Sequence, residues 1–163
     1  MKLLLIATFG LTAWAQTLII NLDALSAKAK KKAEITLDRS ALAQALQMAP
    51  EKLKSSAGNI SRLFVRNYEF DKPGQYSDAD LESVRKQVSN GSGWSRIVNT
   101  KEEHESVEIY MFNQGGKPGG FLLIAAEEKE LSVVHVVGSI DLASLTEVVN
   151  STIQYDLKNA GGQ

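Results

Sequence analysis

Histidine has the side-chain pKa nearest neutrality, so His104 and His135, the two in the chain, are the first places to look for acid–base chemistry. His104 sits among Lys101, Glu102, Glu103 and Glu105, a polar stretch that reads as a solvated turn. His135 shares a strand face with Val133 and Val137 in an apolar run, where a histidine held inside a sheet is the simpler reading. Metal sites want His, Cys or carboxylates clustered at fixed spacing. The two histidines fall on different expected elements, and a chain without Cys has neither a thiolate site nor a Cys nucleophile.

Other short patterns fail on spacing. A hydrolase elbow needs Gly-x-Ser-x-Gly, and Gly91-Ser92-Gly93 does not supply it. Asp78, Asp80 and Glu82 look like the start of a calcium loop, which requires Gly at its sixth position and Glu at its twelfth; here those positions hold Ser83 and Ser89. The carboxylates are better explained as first-turn charges favourable to a helix dipole. In Gly115-Gly116-Lys117-Pro118-Gly119-Gly120, Pro118 stands where a phosphate loop needs Ser or Thr, so this stretch reads as a long hairpin loop. No catalytic residue, cofactor or metal is expected from these patterns. A hydrolase built on two distant carboxylates would need both acids in one cleft.

The residues best suited to recognition are aromatic. Phe64, Tyr68 and Phe70 recur at even positions of one expected strand, and Tyr110 and Phe112 alternate with Val107, Ile109 and Met111 on another. If the aliphatic set packs on helices, Phe64, Tyr68, Phe70, Tyr110 and Phe112 form a candidate partner surface on the opposite sheet face. The competing arrangement has the N-terminal helices covering that face in a three-layer core.

The elements that must position these residues follow from periodicity. Asn21 is placed to cap a helix carrying Leu22, Leu25, Ala29 and Ala33, with Lys28, Lys30, Lys31 and Lys32 on its solvated surface. Glu34 to Leu37 is a short extended candidate. Asp38 or Ser40 then caps a helix with Leu42, Ala45 and Leu46 on one stripe, and Pro50 opens a further short helix that Gly58 stops. A strand spans Arg62 to Phe70, and Lys72-Pro73-Gly74 turns. Ser77 and Asp80 form a capping box before a helix with Leu81, Val84 and Val88. Four strands follow: Trp94 to Asn99, Glu105 to Asn113, Phe121 to Ala126 and Leu131 to Val137. The last two are apolar on both faces and should be central. Asp141 caps a final helix with Leu142, Leu145 and Val149. The expected fold is α+β: an antiparallel sheet (strand, helix, four-strand meander, helix) with additional N-terminal helices.

At the N-terminus, Lys2, the apolar run Leu3 to Leu11 and the small residues Ala13 and Ala15 read as a secretory signal peptide cleaved between Ala15 and Gln16. The run is about half the roughly 20 residues that span a bilayer. The expected organisation is therefore a cleavable leader over 1–15, one domain over 16–158 and a flexible tail over 159–163. Losing Lys2 takes the formal net charge from −1 to −2, too near neutrality to attract nucleic acid or anionic membrane. The mature form would carry no stable membrane anchor, because lipidation at a new N-terminus needs a Cys.

Several stretches together have a recognisable character: Phe64-Val65-Arg66-Asn67-Tyr68-Glu69-Phe70-Asp71-Lys72-Pro73-Gly74-Gln75-Tyr76-Ser77, then Gly93-Trp94-Ser95-Arg96-Ile97-Val98, Leu123-Ile124-Ala125-Ala126-Glu127, and Val133-Val134-His135-Val136-Val137-Gly138-Ser139-Ile140-Asp141-Leu142. The chain resembles the bacterial exported family known as domain of unknown function 4252, from about Leu22 to Val149. The resemblance implies a periplasmic or cell-surface domain of Gram-negative type with no established activity. Some members are encoded near extracytoplasmic sigma factors, which implies a link to envelope signalling. Many carry a lipoprotein Cys; its absence here implies a soluble form. Two roles fit: a non-catalytic envelope module that binds a protein partner, and a carrier of a small apolar ligand. A carrier needs an enclosed pocket of about 300–1,000 Å³, whereas a partner module needs an exposed patch.

Overall fold

The computed structural model describes residues 17–49, 51–89 and 93–147. The expected leader, its cleavage site at Ala15–Gln16, the domain end at 158 and the tail over 159–163 lie outside the described residues, as do Pro50, Asn90-Gly91-Ser92 and Val149.

In chain order the elements are α1 (Asp23–Lys28), β1 (Lys31–Asp38), α2 (Arg39–Gln47), α3 (Glu51–Ala57), β2 (Ile60–Glu69), α4 (Asp78–Ser89), β3 (Trp94–Lys101), β4 (Glu105–Gln114), β5 (Lys117–Glu127) and β6 (Glu130–Gly138). Residues 142–147 are helical. The six strands form one antiparallel sheet in the order β1-β2-β6-β5-β4-β3. This is the expected α+β architecture, with β5 and β6 at its centre, as their two-sided apolar character requires.

The sheet is packed on both faces. On one, Tyr68, Phe70, Tyr110, Phe112, Leu122, Ile124, Leu131 and Val133 meet Leu22 and Leu25 near α1 and Leu81, Val84 and Val88 of α4. On the other, Leu63, Val65, Phe121, Val134 and Val136 meet Leu42 of α2, Ala57 of α3, and Ile140 and Leu145 beyond β6. The result is three layers, two apolar clusters separated by the sheet.

Helix ends follow local chemistry. The Asp38 carboxylate accepts from Ala41 N at 2.8 Å and starts α2. Asp80 accepts from Ser77 N at 2.8 Å, one half of the expected box, and α4 begins. Asp141 accepts from Ser144 N and Oγ, both at 2.8 Å, ahead of 142–147. Leu142, expected on the buried stripe, is 40% exposed.

Three expectations change. The first helix ends at Lys28 rather than reaching Ala33, because Lys30 N donates to Glu69 O and the chain then pairs with β2 from Lys31 to Asp38. Ala33, Ile35 and Leu37 are half-buried on one face of that strand and Lys32, Glu34 and Thr36 lie on the other, a period of two that outweighs the helical spacing. Lys31 and Lys32 are therefore strand residues, not a helix surface. Finally, the expected loop over Gln114 to Gly120 contracts to a two-residue turn. Gly115 and Gly116 both adopt positive φ (60° and 81°), the requirement of a tight hairpin turn, and Lys117 onward is strand.

Candidate functional site

The candidate partner surface of Phe64, Tyr68, Phe70, Tyr110 and Phe112 is not an open face. The five residues do share a sheet face, but Tyr68, Phe70, Tyr110 and Phe112 are only 1–6% exposed. Helices α1 and α4 lie over them, and large rings are what fills the space between a sheet and two helices. Only Phe64 remains half-buried and reachable.

The histidines stay apart. His104 Nδ1 lies 2.7 Å from Glu128 in the neighbouring turn, while His135 is buried at 4% exposure, cross-strand from Phe64 and Leu122, with its ring 6.0 Å from that of Trp94. No three His, Asp or Glu side chains among the described residues come together as metal ligands. The turn between β5 and β6 is pinned by Tyr76, whose hydroxyl donates to the carbonyls of Glu127 and Glu130; burial pushes that phenol up to about 12.

Two polar regions remain on the face that α1 and α4 share. The first borders an open hollow of about 400 Å³ but satisfies its own charges. Glu108, 7% exposed on β4, receives Arg85 of α4 on one oxygen, from Nε at 2.9 Å and Nη2 at 2.7 Å. Its other oxygen accepts from the Tyr110 hydroxyl, and Arg96 Nη1 stands 4.0 Å away. Arg85 also reaches Asp78 at 3.0 Å. Burial and then the hydrogen bond to Glu108 raise the Tyr110 pKa. The bond to Glu108 raises that of Arg85 against the opposing effect of burial, the largest influence on it. Every charge here has a counter-charge within the fold.

The second region is an open groove of about 670 Å³ at the β1-β2-β6 corner. Phe64, His135 and Val137 form its floor, Thr36, Asp38, Arg39, Ser61 and Arg62 its polar side, and Leu18 and Ile20 its apolar wall. That wall is held by α4: the Gln87 side-chain amide accepts from Ile19 N and donates to Ile19 O, each at 2.8 Å. The floor depends on a register shift in β2, where Ile60 pairs with Gly138 and Arg62 with Val137. The extra residue, Ser61, bonds Val137 O at 3.1 Å. It lets Ile60 enter the far cluster while Arg62 stays on the groove face with Phe64. Gly138 closes the shift at φ 135°, with space for no side chain: a Cβ would fall 2.2 Å from Asn59 O.

Beside the groove, Arg66 covers Phe64, its guanidinium carbon 3.9 Å from the ring centroid. Arg66 also donates to Ile35 O at 3.0 Å and Val65 O at 2.8 Å. Tyr68 donates to Glu34 at 2.7 Å, and this bond above all holds the Glu34 carboxyl below its usual range. Sequence reading found Phe64 but missed Leu18, Ile20, Arg39 and Arg62. The shared parity of Arg62 and Phe64 was legible, whereas the register shift and the Gln87 clamp join residues far apart in the chain and leave no local pattern.

A hollow of about 530 Å³ between α2 and α3 lies on the other face, with Leu42, Leu46, Ala57 and Ile60 inside and Arg39, Gln47 and Lys54 also in its lining. None of the described helices is long and apolar enough to cross a membrane. Compared with known proteins, the chain is matched over residues 27–148 by the family described as "Domain of unknown function (DUF4252)". No curated protein matches it.

Proposed function

We propose, for a chain that belongs to the DUF4252 family, that it works as an exported, non-catalytic module that binds a protein partner through the groove over Phe64 and His135. In this reading the leader over 1–15 is removed at Ala15–Gln16 and the domain acts in the periplasm or outside the cell, linked to cell-envelope signalling. The observation that carries the reading is the groove itself. It opens to solvent, combines an apolar wall with charged and hydroxylic groups, and is built on a register shift in the sheet. Recognition surfaces mix apolar anchors with polar rims in this way. A carrier of a small apolar ligand would bury most of that ligand in an enclosed cavity, and an open groove favours the partner module.

The test is site-specific crosslinking in the native cell. A photoreactive residue at Thr36, on the groove, should give a discrete protein adduct, while the same residue at exposed Thr100 on β3 should give none. Equal labelling at both positions, or none at Thr36, would remove the groove as a partner site.

A further inference from the structure

We infer that the groove recognises an acidic, extended peptide segment of the partner, seating an apolar side chain over Phe64 and presenting carboxylates to Arg39 and Arg62. The inference rests on the partner-binding reading above and adds the chemistry of what is bound.

The argument is one of leftover charge. The chain has five arginines. Arg66 faces Glu34 at 3.9 Å, Arg85 is held by Glu108 and Asp78, and Arg96 lies 4.0 Å from Glu108. Arg39 and Arg62 make no ion pair among the described residues, and both line the groove, with Arg39 also bordering the hollow between α2 and α3. The single carboxylate lining the groove with them, Asp38, lies cross-strand from Arg62 and caps α2 through Oδ1, and its one charge offsets only one of the two arginines. An unpaired guanidinium offers a planar fork of donors that matches a carboxylate, so two of them flanking one trough select an anionic occupant.

The remaining lining says what kind of anion. Leu18, Ile20, Phe64 and Val137 provide apolar contact along the trough. Thr17, Thr36 and Ser61 place hydroxyls beside it, where the amides of an extended chain can bond. Alternate side chains of an extended peptide point to opposite sides, so acidic and apolar residues in alternation can meet both kinds of lining. A small carboxylate would fill a fraction of the space and leave its apolar part in water.

The test is fluorescence anisotropy on the mature chain, with a dye-labelled decapeptide of alternating glutamate and leucine as probe. The same peptide with lysine replacing glutamate, and decanoate as competitor, complete the set. The acidic peptide should bind at least about tenfold more tightly than the basic one. The double variant Arg39→Gln/Arg62→Gln should lose about tenfold in affinity without a change in melting temperature. Equal binding of the two peptides, or an unchanged affinity in the double variant, would overturn the inference. So would decanoate displacing the acidic peptide at equal concentration, which would assign the groove to amphiphilic carboxylates. Crosslinking at Thr36 without a preference for the acidic peptide would retain the partner-binding reading and discard only this chemistry.

Discussion

The two polar regions on one face of the sheet contrast in how their charges are satisfied. Under α4, Glu108 gathers Arg85, Tyr110 and Arg96, and Arg85 gathers Asp78. At the β1-β2-β6 corner, Arg39 and Arg62 form no ion pair among the described residues, and the one carboxylate lining the groove with them is Asp38. A cluster that neutralises itself is accounted for by folding: it ties a helix to two strands. Leftover cations beside an apolar trough are not accounted for in that way, and they are where binding is sought.

The largest expected effect breaks the ground between the two regions. Phe112→Ala should cost about 4 kcal/mol, read as a lower midpoint in urea, because the ring is buried against Trp94 with centroids 5.4 Å apart. A loss below about 1 kcal/mol would return this ring to the surface and restore the open aromatic face. Next, Glu108→Ala should cost about 2 kcal/mol by leaving the largely buried Arg85 with Asp78 alone, with peptide affinity unchanged once the variant is folded. A neutral outcome in the same titration would erase the contrast between a structural cluster and a binding one.

The smallest effect tests a polar contact beside the groove, the Glu34–Tyr68 bond. Because the Tyr68 bond holds the Glu34 carboxyl below its ordinary value of 4.5, the fold favours the ionised form. Its stabilisation is complete above 4.5 and is lost as pH falls through the lower folded value. The melting temperature of Glu34→Gln should therefore lie below that of the parent at pH 7, and the gap should narrow as the pH is taken down below 4.5. A gap constant across that range would show that charge plays no part in this contact.

Much of the architecture was legible because it rests on local period. The alternation in Glu105–Gln114, the two-sided apolar character of β5 and β6, and the caps at Asp38, Ser77 and Asp141 are short-range signals, and each appears in the structure. The length of β1 was not legible, because Ala29 and Ala33 satisfy a helical spacing that only pairing with β2 overrides. Which sheet face lay open was a matter of where α1 and α4 pack, a long-range choice. Hence Tyr110 and Phe112 suggested a surface and proved to be core. The groove was least visible, since Leu18, Arg39, Arg62 and His135 converge only after the sheet has formed.

The outermost strands of the sheet also bear on how the protein behaves in a crowded solution. A sheet with two free sides can in principle recruit strands from neighbouring molecules and grow into fibres. Here β3 carries a register shift between Arg96 and Val98, which bends the strand away from a flat template, and Arg96 and Lys101 add charge along it. On the opposite side β1 carries Lys31 and Lys32 at one end and Glu34 and Asp38 further along, so its charges set no uniform repulsion. The β3 margin therefore discourages strand addition, and β1 is the side at which a crowded solution would test the sheet.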